Sequence, residues 1–323
     1  MTICALSSGI GASGVAILRI SGPDTGFLIK TLTNKALPKP REATLLELNN
    51  INNNRPIDQG IVLWFPGPKS YTGEDMAELH VHGSKAVVKE LQETLLSTKK
   101  CRMAEPGEFT KLAFLNGKIN LLQAEAIGDL IAAETEIQME QAQNIIKGKS
   151  FLKFNELREK LIKVLSKIEA KIDFPEEDLP SNVLEDVKSD VSNIENEIKK
   201  LLINYEVGEK IRTGYKIAIV GPPNSGKSTL MNYLSKRNVA IVSDVAGTTR
   251  DVLQTNLNFY GYPVIISDTA GIRDSKDLIE KEGIKLAFEK AEEADLRIVV
   301  IEPKNVDFYG FLNDLFNKNT ILV

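Results

Sequence analysis

Cysteine is nearly absent from this 323-residue sequence, which holds only Cys4 and Cys101. Two cysteines so far apart exclude a disulfide framework and a cysteine-rich zinc site, and they suit a reducing compartment. Histidine is equally scarce. His80 and His82 alternate along Leu79-His80-Val81-His82, a spacing that puts both on one face of a strand. A two-histidine metal site and an ordinary strand face both fit this spacing. With no third histidine to complete a ligand set, the strand face is the reading adopted. Long apolar runs are also missing. Nothing approaches the roughly 20 residues that span a bilayer, and the first residues lack the basic segment and cleavage site of a signal peptide. The sequence therefore reads as cytoplasmic, with no membrane association. A strong excess of either charge is absent too: 40 Lys and Arg against 44 Asp and Glu give a net charge of −4. That argues against a nonspecific basic surface for nucleic acid, but it leaves open a structured RNA met by local basic patches.

What is present is a globular composition, 42% hydrophobic and 26% charged, in a chain long enough for two or three domains. Residues 1–118 mix short strands and turns. Gly14 to Ile20 and Gly60 to Phe65 alternate as strands, and Asn50 to Asn54 reads as a loop. This segment is expected to be an α+β domain. Residues 119–210 turn helical. One apolar stripe runs through Leu157, Leu161, Val164, Leu165, Ile168 and Ile172, and another through Val187, Val191, Ile194, Ile198, Leu201 and Tyr205. Asp173 to Pro180 must turn the chain between them. The helical pattern ends between Gly208 and Gly214. From 215 to 323, strands at Val264 to Ile266, Ile298 to Ile301 and Thr320 to Val323 alternate with helical segments around 278–293 and 306–316. That order predicts a mostly parallel α/β sheet with helices on both faces.

One segment in this last region carries chemistry. Gly221-Pro222-Pro223-Asn224-Ser225-Gly226-Lys227-Ser228 lies between the apolar run Ile217 to Val220 and the helix-forming Thr229 to Leu234. Glycines let the backbone wrap a phosphate so that its amides and the positive helix end face the oxygens. Lys227 adds a charge, the Ser228 hydroxyl can ligate magnesium, and Asn224, Ser225, Gly226 and Thr229 complete the loop. Two further strings follow in the order a G domain needs. Gly247-Thr248-Thr249-Arg250-Asp251 looks like switch I, with a threonine to fold over magnesium. Asp268-Thr269-Ala270-Gly271 looks like switch II, with an aspartate near the metal and a glycine amide near the γ-phosphate. The next residue is Ile272 where Ras-like proteins carry a water-orienting glutamine, so either the chain is a poor hydrolase or another group orients the nucleophile and another cation replaces the arginine finger. No N-K-x-D follows the strand Thr320 to Val323. Asn317-Lys318-Asn319-Thr320 precedes that strand and ends in threonine, so the G domain is expected to be incomplete at its C-terminus.

The chain resembles the MnmE (TrmE) family of tRNA modification GTPases. The likeness rests on the three G-domain strings and, independently, on Leu18-Arg19-Ile20-Ser21-Gly22-Pro23, Trp64-Phe65-Pro66-Gly67-Pro68, Tyr71-Thr72-Gly73-Glu74-Asp75, Glu105 to Thr110 and Phe114 to Lys118. The resemblance implies an enzyme that acts with the FAD-containing partner MnmG, as a heterotetramer of two chains each. It adds an aminomethyl-type or carboxymethylaminomethyl group at C5 of the wobble uridine of certain tRNAs while hydrolysing GTP to GDP. It implies an N-terminal homodimerising domain that holds a tetrahydrofolate derivative, 5-formyl or methylene, through Arg19, Glu78 and Lys118. On the residues alone, the preferred reading of those three is ordinary surface charges. The resemblance further implies potassium bound by Asn224 with Ser243, Val245 and Thr248, magnesium on Ser228 and Thr249, and nucleotide contacts that include Asp244 and Ala246. It assigns Glu280 to positioning the attacking water, and it expects C-terminal helices ending in a cysteine-bearing tail beyond this sequence.

Two other readings remain at this point. One is a folate-binding, dimerising module with an inactive G domain. The other is a ribosome-assembly GTPase of the Era type, which the N-terminal strings argue against.

Overall fold

The computed structural model describes residues 1–174, 183–221, 225–237, 239–241, 254–268, 290–301 and 317–323. By their packing these fall into two units, Met1–Ala124 and Glu125–Val323.

Alternating sequence builds the first unit. Strands β1 (Thr2–Leu6), β2 (Ser13–Ser21), β3 (Thr44–Asn49), β4 (Pro56–Phe65), β5 (Met76–Gly83) and β6 (Cys101–Met103) form one sheet in the order β3-β4-β5-β2-β1-β6. Helices α1 (Thr25–Thr33), α2 (Lys85–Ser97) and α3 (Glu108–Leu115) complete it. Leu18 and Ile20 of β2, Leu48 of β3, Val62 of β4 and Leu79 of β5 are fully buried on one face, where Leu28, Ile29 and Leu32 of α1 and Leu91 and Leu95 of α2 close the core. Burial of each such side chain contributes about 1.5–3 kcal/mol. Because strand side chains alternate, the residues between them, including Arg19, Glu78 and His80, stand on the opposite face.

The two cysteines, remote in sequence, meet in this core with their Sγ atoms 3.8 Å apart. Cys101 pairs with Thr2 in the parallel β1/β6 register. The cysteine Cα atoms are therefore offset by two residues, about 8 Å from strand rise and spacing. A disulfide reaches only about 7 Å between Cα atoms, so both remain thiols. The bond with Cys101, and then burial, holds the Cys4 thiol well above its ordinary range.

Helix α4 (Leu121–Ala132) leads into the second unit, followed by α5 (Glu136–Ile146), α6 (Lys149–Asp173) and α7 (Val183–Thr213). A capping box of Thr135 and Gln138 starts α5. The two apolar stripes pair through Leu157, Val164, Val187 and Ile194. Their remaining members do not all find partners: Leu161, Leu165, Ile198 and Tyr205 line an open groove of about 580 Å³. Helix α7 passes Gly208 and continues to Thr213, the far end of the segment expected to break it. A glycine inside a helix costs about 1 kcal/mol. Here the α5 side chains supply compensating bonds, Gln141 Nε2 donating to the Gly208 carbonyl (3.0 Å) and Gln138 Nε2 to that of Arg212 (3.2 Å). The Arg212 side chain also pairs with Asp129 at 2.8 Å. At Gly214, whose φ of 90° favours glycine, the chain leaves the helix.

The second sheet then begins. It comprises β7 (Tyr215–Val220), β8 (Val239–Ile241), β9 (Gln254–Phe259), β10 (Tyr262–Asp268), β11 (Leu296–Val299) and β12 (Thr320–Leu322), with helix α8 (Lys227–Arg237) after β7. The order is β12-β11-β7-β10-β9-β8. The pairs β7/β10, β7/β11 and β11/β12 are parallel, as expected. The β8/β9 and β9/β10 pairs are antiparallel, an edge not read from the sequence. Among its described side chains β9 buries only Leu257 fully, and apart from Leu257 and the exposed Phe259 it is polar, so it carries little apolar signal. Its hairpin turns at Tyr260-Gly261, both at positive φ (51° and 90°), which fits a two-residue loop. The acidic turn at Asp173 to Pro180 and the helical segments expected around 278–293 and 306–316 lie largely outside the described residues. Among the described residues, no helix is long and apolar enough to cross a membrane.

Leu79 is at the centre of the first core, so Leu79→Ala is expected to cost about 3 kcal/mol from lost burial and a residual cavity. Urea unfolding checks this, and a cost below about 1 kcal/mol contradicts the placement.

Candidate nucleotide and sheet-face sites

β7 carries the buried Ala218, Ile219 and Val220 toward its carboxyl end, where Gly221 opens the loop. A Cβ at Gly221 would lie 2.1 Å from the Val300 carbonyl oxygen, so only glycine lets the chain pass the end of β11. Gly226, at φ 97°, makes the left-handed step into α8. Lys227 is the first residue of that helix and only 6% exposed, and its Nζ donates to the Gly221 carbonyl at 2.8 Å. Its ammonium thus reaches back across the loop. Beside it the Ser225 hydroxyl is buried with no hydrogen-bond partner among the described residues. Ser228 and Thr229 follow at the positive end of the α8 dipole. A buried cation, an orphaned hydroxyl and a helix N-terminus around one glycine-bounded loop form a donor set that fits a nucleotide phosphate. The β7/β10 register places Asp268 opposite Ile219, so the strand feeding Asp268-Thr269-Ala270-Gly271 ends next to the strand feeding the loop.

The open face of the first sheet holds a second cluster. Arg19 and Glu78 are direct cross-strand partners, and Glu78 Oε1 accepts from Arg19 Nε (3.1 Å) and Nη2 (2.8 Å). The guanidinium lies over two aromatic rings, 5.7 Å from the Tyr71 centroid and 5.6 Å from that of Phe109. Tyr71 is tied to α3 by a 2.9 Å hydroxyl bond to Thr110. Lys118 lies against the same loop: a Cβ on Gly73 would meet its Cε at 3.0 Å. Asn116 Nδ2 donates to the Thr72 carbonyl at 2.7 Å, fixing that segment to the loop. Arg102 pairs with Glu108 at the start of α3, an interaction that holds the Glu108 carboxyl down at about 2.

Residues 2–118 match the family described as the GTP-binding protein TrmE N-terminus, and residues 121–315 the MnmE helical domain. The tRNA modification GTPase MnmE of Pelagibacter ubique (strain HTCC1062) is 62% identical over 323 residues, covering 100% of this chain and 73% of that protein. This chain belongs to the MnmE family of tRNA modification GTPases. The MnmE of Rickettsia akari (strain Hartford) is 45% identical over 325 residues, again with 100% and 73% coverage. Among solved structures, the G domain of the T. maritima FeoB iron transporter shares 26% identity over 33% of this chain and 69% of that one. The TM-score of that match is 0.25.

Several positions nominated by the motifs or by the MnmE resemblance lie outside the described residues: Asn224, Ser243, Asp244, Val245, Ala246, Gly247, Thr248, Thr249, Thr269, Ala270, Gly271 and Glu280. Asp268 is described by its backbone. Arg19, Glu78 and Lys118, indistinguishable from surface charges in the sequence, gather around one loop. Sequence reasoning missed Tyr71, Phe109 and His80 as members of this cluster. Tyr71 and Phe109 each fell in a string quoted for the family, but neither has a spacing signal of its own. The alternation that put His80 and His82 on one face also put Glu78 there. His82 donates through its backbone N–H (2.8 Å) and bonds through Nδ1 (2.9 Å) to Asp58. Although burial pushes the Asp58 carboxyl up, the bonds from His82 outweigh it and leave the group below its ordinary range. The Asn317 to Thr320 string forms the turn into β12, with Asn317 Oδ1 accepting from the Asn319 amide at 2.8 Å.

Two measurements test this geometry. Gly221→Ala is expected to abolish binding of a fluorescent guanine nucleotide, because its Cβ must displace the loop from Val300; retained affinity contradicts the close approach. Glu108, held at about 2 against an ordinary 4.5, stabilises the fold fully above pH 4.5 and loses that contribution as pH falls through 2. Melting curves should place Glu108→Gln below the unmodified chain at pH 7 and bring the two together near pH 2.

Proposed function

We propose that this chain is a GTP-hydrolysing tRNA modification enzyme that acts on the wobble uridine of certain tRNAs in the cytoplasm. The observation that carries the GTPase part is the buried Lys227 ammonium, bonded across the loop to Gly221 beside the orphaned Ser225 hydroxyl. Lys227 and the amides opening α8 bind and orient the β- and γ-phosphates. Switch I, residues 247–251, supplies the threonine for magnesium, and switch II, residues 268–271, supplies an aspartate near the metal and a glycine amide near the γ-phosphate. Glu280 orients the attacking water, a task that Ile272 cannot perform because it has no hydrogen-bonding group. Magnesium on Ser228 and Thr249, and potassium on Asn224, Ser243, Val245 and Thr248, neutralise phosphate charge when bound.

The N-terminal domain, residues 1–118, dimerises and binds a tetrahydrofolate derivative that supplies the one-carbon unit. Glu78 accepts from the ring nitrogens of this ligand, and Arg19 and Lys118 meet its carboxylates. Residues 119–210 form the first part of the helical domain, and residues 215–323 belong to the G domain. The partner in the modification reaction is MnmG, two copies of each chain forming the complex.

The two sites are expected to separate cleanly by mutation. Lys227→Ala removes binding of GTP and leaves 5-formyltetrahydrofolate binding intact. Arg19→Ala weakens the folate about tenfold or more, the worth of a charge-assisted pair, and leaves nucleotide binding intact. Glu280→Ala slows hydrolysis without changing nucleotide affinity. Titration calorimetry with each ligand reads the first two. A single substitution that removes both ligands overturns the two-site reading.

A further inference from the structure

Both oxygens of the Glu78 carboxylate are engaged. Oε1 accepts two bonds from Arg19, at 3.1 and 2.8 Å, and Oε2 contacts His80 Nε2 at 3.3 Å. An ionised carboxylate offers about four lone-pair positions. The one that remains is on Oε2, next to the imidazole. His80 is two residues from Glu78 on the same face of β5 and registers with Ile17 on β2 and Ile61 on β4. Neither of those neighbours has a polar side chain, so the orientation of the ring is set toward Glu78. The Glu78 side chain is only 16% exposed and that of His80 only 26%, so water competes weakly for this bond.

We propose that His80 is a positioning residue that presents Glu78 to a planar, nitrogen-rich ring carrying adjacent N–H donors. This rests on the reading of Arg19, Glu78 and Lys118 as a folate site. Left alone with a carboxylate, a guanidinium draws both oxygens into a bidentate fork. Such a fork at Arg19 takes the inward-facing lone pair of each oxygen, the two that a ring with adjacent N–H donors needs, and leaves only the outward-facing ones. Donation from His80 Nε2–H holds Oε2 turned away from the guanidinium. Arg19 is meanwhile retained by Tyr71 and Phe109, so it keeps its place when a ligand takes part of its share of Oε1. His80 thus decides whether Glu78 is closed on Arg19 or open to the ligand.

Calorimetric titration of 5-formyltetrahydrofolate into the 323-residue chain tests this with His80→Ala and His80→Gln. His80→Ala is expected to weaken binding about tenfold, the range for a hydrogen bond to a charged group. His80→Gln, whose amide N–H can replace the imidazole donor, is expected to recover most of the loss. Both variants should melt close to the unmodified chain and keep their nucleotide affinity. If the unmodified chain binds the folate and Glu78→Gln does not, yet His80→Ala binds normally, the inference falls alone. A His80→Gln variant as weak as His80→Ala also overturns it, because a side-chain donor is then not what matters. If the unmodified chain binds no folate, the site reading fails and takes this inference with it.

Discussion

The nucleotide site depends on one register, the parallel pairing of β7 with β10. Val264 opposite Tyr215 and Asp268 opposite Ile219 bring the carboxyl ends of two strands side by side. The phosphate loop leaves one and the Asp268-Thr269-Ala270-Gly271 string leaves the other. Loops from adjacent parallel strands converge on the same edge of a sheet, which is where an α/β fold binds its ligand. A one-residue slip would turn Ala218 and Val220 out of the core they share with Val299 and destroy the alignment. The register is therefore secured by burial, and the chemistry at the strand ends inherits its precision from that packing.

The second unit adds an anchor on the other end of β7. Helix α7 runs directly into this strand through Gly214, and α5 grips the last turn of α7 by its carbonyls. Lys210 of α7 pairs with Asp295 at 2.9 Å, and Asp295 also accepts from the Lys216 amide at 3.0 Å, so helix, first strand and the start of β11 meet at one carboxylate. Within this unit, the phosphate loop is thus the far end of a strand whose near end is held by helices. In the first unit the same logic appears with antiparallel strands. Direct pairing of Arg19 with Glu78 places opposite charges on the open face because Leu18, Ile20, Ala77 and Leu79 claim the other.

Much of this was legible in the sequence wherever a local rule and the tertiary environment agreed. The phosphate loop was readable because its glycines, lysine and serine have fixed spacing between an apolar strand and a helix, and Gly221 does face a backbone oxygen that excludes a side chain. Apolar alternation in β2 and β4 marked the first sheet. Strand β9 was not readable, since its polar run pairs at the edge and buries a single leucine. Continuation of α7 through Gly208 was also hidden, because the bonds that offset the glycine come from residues 67 positions away in sequence. Aromatic packing around Arg19 joins β2, the 71–75 loop and α3, a convergence that no periodicity encodes. The amphipathic stripes were readable as helices, yet their spacing could not tell which leucines pair and which, like Leu161 and Leu165, face an open groove.

The central claim is that the loop at Gly221 to Ser228 serves a guanine-nucleotide hydrolase whose missing water-orienting glutamine is replaced by other groups. Turnover of GTP by this chain, measured in potassium and then in sodium with ATP as competitor, tests it most directly. The account predicts hydrolysis that is faster in potassium and unaffected by ATP. Hydrolysis equal in the two salts, or suppressed by ATP, would contradict it.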